Sequence, residues 1–111
     1  RRNEIVGILS DQNHDDAYLP FFGVPAGTNL GMGVIQERTG APAVATLNPR
    51  IGPGRYAMRF DRLDIEPPTE TKGEAALTAI NRYLEDAIRR YPEQWLWIHD
   101  RWRSAKRRGL A

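Results

Sequence analysis

Apolar residues along this chain switch between short unbroken runs and helical spacing, and that switching predicts its elements. Ile5-Val6-Gly7-Ile8-Leu9 is an uninterrupted apolar run, the pattern of a strand covered on both faces in a parallel sheet. A dense polar loop follows at residues 10–16. Residues 18–25 are apolar again but broken by two prolines and a glycine. Each proline removes a backbone donor, so this stretch reads as an extended hydrophobic loop and not as a central strand. Residues 28–39 read as a helix, with Leu30, Val34 and Ile35 inward, Glu37 and Arg38 outward, and Gly40 as its stop. Gly27, Gly31 and Gly33 weaken it by about 1 kcal/mol each against alanine. Close approach to a sheet, or to a ligand, would account for them. Residues 43–47 form the next strand and complete a βαβ unit, whose crossover is right-handed.

The second half is more helical. Residues 48–55 are rich in turn formers and lead to Tyr56-Ala57-Met58-Arg59-Phe60, which alternates like a half-exposed edge strand. The phase shifts before Leu63 and Ile65, marking a bulge or the strand's end. Glu66-Pro67-Pro68 is a linker, and Thr71-x-x-Glu74 has capping-box spacing. Leu77, Ile80, Leu84, Ile88 and Tyr91 then recur at helical intervals, with Glu85–Arg89 and Asp86–Arg90 as i,i+4 pairs on the wet face. Pro92 ends or kinks that helix, or opens a new one carrying Trp95, Ile98 and Trp102 on one stripe. The expected architecture is α/β: a layered sheet with a βαβ unit plus C-terminal helices.

Composition narrows the classes. At 111 residues the chain is one domain or part of one. It has no cysteine, which excludes disulfides and zinc–thiolate sites. No apolar run reaches the roughly 18–20 residues that span a bilayer. The net charge of +2 divides into +5 for the last eleven residues and −3 for the rest. Such a tail suits anionic lipid head groups or nucleic acid, or simply keeps a protein soluble. No nucleic-acid motif accompanies it. The abrupt start on strand-like sequence is the pattern of a fragment.

Candidate chemistry is sparse. Asp11 and Gln12 follow the first predicted strand, where ligands bind in open α/β sheets, and a solvated turn or helix cap fits as well. His14 with Asp15 and Asp16 offers an acid–base pair but no third metal ligand at workable spacing. His99 reads as a structural histidine against aromatics, with a ring nitrogen bonded to a carbonyl. All three tryptophans lie within Trp95-Leu96-Trp97-Ile98-His99-Asp100-Arg101-Trp102, a core stripe or an interfacial belt. Neither a dinucleotide or P-loop glycine pattern nor a Gly-x-Ser-x-Gly elbow is present.

Several segments in order resemble the bacterial lipid A lauroyl/myristoyl acyltransferase family, of the lysophospholipid acyltransferase-like superfamily. They are Val6-Gly7-Ile8-Leu9-Ser10-Asp11-Gln12, Leu19-Pro20-Phe21-Phe22-Gly23-Val24-Pro25-Ala26-Gly27-Thr28, Arg38-Thr39-Gly40-Ala41-Pro42-Ala43-Val44, Asn48-Pro49-Arg50 with Tyr56, and residues 92–103. Together they cover nearly the whole chain. The resemblance implies the C-terminal portion of a membrane-associated acyltransferase. Its donor would be acyl carrier protein or acyl-coenzyme A, its acceptor a hydroxyl of a phosphorylated glycolipid, and its place the cytoplasmic face of the inner membrane. No cofactor, metal or nucleic acid is implied.

The family's catalytic motif is His-x-x-x-x-Asp, a histidine base oriented by an aspartate. Here His14 is followed five residues later by Leu19, and His99 by Ser104. Neither fits, so the 111 residues are expected to be inactive alone, lacking the membrane helix and the catalytic segment. The resemblance assigns supporting roles instead: Asp11 and Gln12 near the acceptor, Thr28 at a helix N-terminus donating to a phosphate or sugar oxygen, and Arg50 pairing with a lipid phosphate. Two alternatives stand beside it. One is an acyltransferase for another glycolipid, such as a phosphatidylinositol mannoside. The other is a non-catalytic lipid-surface module.

Overall fold

A computed structural model describes residues 3–67 and 72–111. The elements in chain order are β1 (Ala17–Phe21), β2 (Val24–Thr28), α1 (Gly31–Thr39), β3 (Val44–Leu47), β4 (Arg50–Gly52), β5 (Arg55–Tyr56), β6 (Arg59–Arg62), α2 (Glu74–Arg90) and α3 (Arg103–Arg107), with a 3-10 turn at Pro92–Gln94 between the last two helices. The chain is thus mixed α/β.

The apolar stripe predicted for the long helix organises the rest. Leu77 and Ile80 of α2 bury with Leu19 and Ala45, and Leu30, Met32, Leu63 and Tyr83 pack around them. Two turns beyond Ile80, Ile88 buries with Phe21 and Ala26 beneath Trp95 and Trp102, and Leu84 bridges the two clusters. Both clusters lie against the same helix face, as a period of 3.6 requires. The molecule is a slab of 45 × 42 × 20 Å with a radius of gyration of 14.8 Å. A compact chain of this length would have about 13 Å, so the difference marks a single thin layer.

The apolar loop expected over residues 18–25 is a β-hairpin. β1 and β2 pair antiparallel from Ala17 opposite Thr28 to Phe21 opposite Val24. The turn is Phe22-Gly23, both with positive φ, 51° and 75°, the geometry that suits the strand twist. The prolines are tolerated because Pro20 faces Pro25. Ladder bonding alternates, and Phe21 with Val24 close the turn as the bonded pair, so the missing donors of both prolines point to the outer edges. Phe22 is held in its unusual conformation by its N–H donating to Glu85 Oε1 at 2.8 Å and by the Arg89 guanidinium 4.9 Å over its ring.

Other expectations change. Ile5–Leu9 forms no strand and is exposed, Ile5 completely. An apolar run becomes a strand only when another backbone pairs with it, and among the described residues none does. All three strand pairings are antiparallel, so no parallel βαβ unit is seen among those residues. The first helix begins at Gly31, not Thr28, because Thr28 is the last residue of β2 and Leu30 caps the helix. Gly40 does end it, in the left-handed conformation with its N–H bonded to Gln36 O. Ile35, expected inward, is exposed, and Met32 packs in its place. Gly33 owes its identity to packing: a β-carbon there would strike the backbone of Gly73.

The alternating strand at Tyr56–Phe60 is divided. Gly54, with φ 63°, folds β5 back on β4, and β6 then pairs with β3, leaving Tyr56, Met58 and Phe60 exposed. At α2, Arg89 takes both Glu85 (3.4 Å) and Asp86 (3.3 Å), so the predicted Asp86–Arg90 pair gives way to an i,i+3 contact. Thr71 and Pro68, of the capping box and linker, lie outside the described residues. The helix is preceded by Gly73, whose N–H reaches Glu37 Oε1 at 2.6 Å. No helix carries Trp95, Ile98 and Trp102 as a stripe. Trp95 and Trp102 sit against Phe21 at ring distances of 6.1 and 5.6 Å, while Ile98 is exposed.

Candidate functional site

The polar loop that carries Asp11 and Gln12 is fastened by the end of the chain. Asn13 is the pivot. Its backbone N–H donates to His99 Nε2 at 3.1 Å. Its side-chain oxygen accepts from the Ser104 N–H at 3.2 Å and from the Ser104 hydroxyl at 2.7 Å. The loop is also stitched to the hairpin, with His14 N–H donating to Gly27 O at 3.1 Å. Ser104 approaches so closely that Gly27 admits no side chain: a β-carbon would collide with His14 O and Ser104 Oγ. His99 accepts from an N–H where a bond to a carbonyl was anticipated. An acceptor ring nitrogen carries no proton, so the other nitrogen holds it.

Beneath this seam lies Arg101, with no exposed surface at all. Its fork donates to Gly27 O and, at 3.1 Å, to Thr28 Oγ1. Its guanidinium stands 5.4 Å over the Phe21 ring, a cation–π contact strengthened by the absence of water. Among the described residues no carboxylate forms an ion pair with it, and its Nε–H finds no acceptor. Burial lowers the proton affinity of Arg101, and the negative charge of Asp11 works in the opposite direction. A guanidinium keeps its proton regardless. The site therefore holds a fixed internal positive charge that attracts Asp11 from below the loop.

The structure separates the four residues singled out by sequence. Asp11 and Gln12 are exposed on the fastened loop, Asp11 under the field of Arg101. Thr28 joins the same cluster, but as a buried residue at the end of β2 with its hydroxyl donating to Ala26 O at 3.0 Å. It is not at a helix N-terminus, since that position belongs to Leu30. Arg50 stands apart. Its backbone N–H and C=O are both bridged by the Gln94 amide, at 2.8 and 3.0 Å, and its exposed side chain turns to Gly52 O.

His14 pairs with Asp16 at 3.1 Å on the surface. Among the described residues no cluster of histidine and carboxylates is arranged to hold a metal, and no helix is long and apolar enough to cross a membrane. The basic tail is less free than its composition suggests. Arg101 is internal, Arg107 approaches Asp15 at 3.8 Å, Arg108 stacks over Tyr18, and Lys106 pairs with Asp100 at 3.0 Å. That pair, together with the Trp102 N–H, holds the Asp100 carboxyl below the usual range. Sequence reasoning missed Asn13, Ser104 and Arg101 as partners, because no short-range pattern links residues some ninety positions apart.

The segments that build this seam, 10–16 and 99–104, lie at opposite ends of the chain, and one family model spans both. The model for bacterial lipid A biosynthesis acyltransferases matches residues 1–104. The chain belongs to that family. No individually curated protein matches it. Family membership brings acyl transfer in lipid A biosynthesis as the general activity, and with it an acyl donor and a lipid acceptor in general. The terminal Trp-rich segment of this family member is thus the clamp on the Asp11 loop.

Proposed function

We propose that this chain is part of an enzyme that moves a fatty acyl group from acyl carrier protein, or from coenzyme A, to a hydroxyl of a phosphorylated lipid A precursor at the cytoplasmic face of the inner membrane. The observation that carries the reading is the family match across residues 1–104. In the reaction, a base takes the acceptor hydroxyl proton, the oxygen attacks the thioester carbonyl, and the thiolate leaves as the ester forms. Neither histidine here has an aspartate five residues on, so another part of the polypeptide supplies that base. The exposed apolar run Ile5–Leu9 supports the same idea, as a strand of the layered acyltransferase sheet awaiting its partners.

Within this reading, Asp11 and Gln12 face the acceptor on a loop held by Asn13, His99 and Ser104. Arg101 fixes Asp11 electrostatically, and Thr28 supports Arg101. Arg50 serves a lipid phosphate from a separate edge. The test is labelled-acyl transfer by the full chain to a lipid A precursor, compared with the Asp11→Ala variant. The expected loss in kcat is about a hundredfold, with folding unchanged by circular dichroism. Failure of the full chain to acylate any phosphorylated glycolipid sinks the reading. Transfer by residues 1–111 alone sinks the assignment of the base to another segment.

A further inference from the structure

Packing against Phe21 half-buries two of the three tryptophans and thrusts out what lies between them. Leu96, Trp97 and Ile98 are 68%, 57% and 92% exposed, three large apolar side chains in succession. They do not sit on a loose tail. The Trp97 N–H bonds Trp95 O at 2.9 Å, the His99 N–H bonds Leu96 O at 3.0 Å, and the Trp97 indole N–H bonds Pro92 O at 2.7 Å. Trp95 and Trp102 pin both ends to Phe21. The turn is therefore a rigid apolar knuckle, and its indole donor is already satisfied. A side chain in that state can leave water without orphaning a polar group.

What surrounds the knuckle selects its partner. Arg103 is exposed just beyond and makes no salt bridge among the described residues, its charge acting on Asp100 at longer range. Asp100 draws Lys106 back to the base of the turn. On the other side Gln94 clasps the backbone of Arg50, bringing an exposed arginine and the exposed Ile51 alongside. Large apolar side chains with a tryptophan, rimmed by cations, suit the head-group layer of an anionic bilayer.

We infer that Leu96, Trp97 and Ile98 insert into the surface of an anionic phospholipid membrane, with Arg50, Arg103 and Lys106 on the head groups. The inference rests on the membrane placement in the proposed function, yet it is separable from the chemistry. The experiment uses the full chain and vesicles of phosphatidylcholine with about one-quarter phosphatidylglycerol, with and without bromine on the acyl chains. Brominated lipid should quench tryptophan emission, and Trp97→Phe should remove most of that quenching. Leu96→Ser with Ile98→Ser should weaken vesicle binding about tenfold, and Arg103→Gln about fivefold, all with unchanged circular dichroism. These positions are exposed, so folding survives the changes.

Absence of quenching that depends on Trp97 overturns the inference. So does vesicle binding equal in wild type and the Leu96/Ile98 variant. A variant that loses acyl carrier protein or self-association while keeping its vesicle binding also overturns it, and assigns the knuckle to a protein partner. Acyl transfer in detergent separates the two proposals. Transfer without Trp97 quenching leaves the enzyme and removes the docking face; quenching without transfer does the reverse.

Discussion

The hairpin β1–β2 and the pair β3–β6 are both two-stranded and antiparallel, and neither would be stable alone. Their surroundings differ. The hairpin lays Leu19, Phe21 and Ala26 on α2, with Trp95, Trp102 and Arg101 packed against Phe21 on that side, and its other face is met at Gly27 by Ser104. The β3–β6 pair lays Ala45 on α2 and leaves Val44 and Phe60 bare on its other side. Alternation along a strand presents two faces in both cases. Only where residues 99–104 return across the hairpin is the second one covered. The hairpin is thus built to hold the Asp11 loop, and the β3–β6 pair presents a surface.

Equivalent truncations measure that contrast most directly. Phe21 has no exposed surface and Phe60 is 65% exposed. Phe21→Ala should cost about 4 kcal/mol through lost transfer energy and an unfilled cavity, whereas Phe60→Ala should stay within about 0.5 kcal/mol. Urea unfolding midpoints of the two variants decide it. Equal losses would mean that the sealed and bare regions are no different in energy.

Arg101 tests what the seal is made of. Arg101→Ala opens a hole beneath the seam and should cost about 3 kcal/mol. Arg101→Met keeps most of the volume, Gly27 O retains the His14 N–H, and the Thr28 hydroxyl keeps its donated bond to Ala26 O and loses only the one it accepts. Replacing a buried charge by a well-packed apolar side chain is often neutral, so this variant should lie within about 1 kcal/mol of wild type. If methionine costs as much as alanine, the charge itself holds the hairpin closed.

The seam's neutral bonds come next. Asn13→Ala and Ser104→Ala should each lose about 1–2 kcal/mol. They share one bond, the 2.7 Å contact of the Ser104 hydroxyl with Asn13 Oδ1, while the 3.2 Å bond from the Ser104 backbone N–H is lost only with Asn13. Their double variant should therefore cost at least about 0.5 kcal/mol less than the sum. Strict additivity in that cycle would show the loop and the closing segment to be held independently.

Much of this was legible in the chain, and the failures have physical causes. The 3.6 period of Leu77, Ile80, Leu84 and Ile88 survives tertiary context because one helix face meets the whole core. Gly40 ends its helix because left-handed backbone suits glycine. Phe22-Gly23 hid as a turn: the Pro20–Pro25 pairing is harmless only in one register, which the turn itself sets. Ile5–Leu9 shows the opposite limit, an apolar run whose strand character depends on partners and not on its own pattern. The loop with Asp11 reads in sequence as the end of a strand, whereas Asn13, His99 and Ser104 position it. Resemblance points to the closing segment as a signature, but only the fold shows that Arg101 in it is interior, bonded to Gly27 and Thr28 and without an ion pair among the described residues.

One bond ties the barer pair to the long helix, and it gives the smallest and most specific test. The Tyr83 hydroxyl of α2 donates to Asp61 Oδ2 of β6 at 2.8 Å. Burial, and then this bond, raise the Tyr83 phenol above its ordinary value. The folded state thus holds the proton more tightly than the unfolded state does. That contribution is complete below about pH 10, the unfolded phenol's range, and is lost as pH rises through the higher folded value. Tyr83→Phe should cost about 0.5–1 kcal/mol at neutral pH. Its disadvantage relative to wild type should then shrink above about pH 10, because phenylalanine has no proton to lose. Unfolding midpoints for the two proteins across that range provide the comparison. A gap that stays constant would mean that Tyr83 contributes packing alone, leaving β3–β6 joined to α2 by its apolar face and by nothing that titrates.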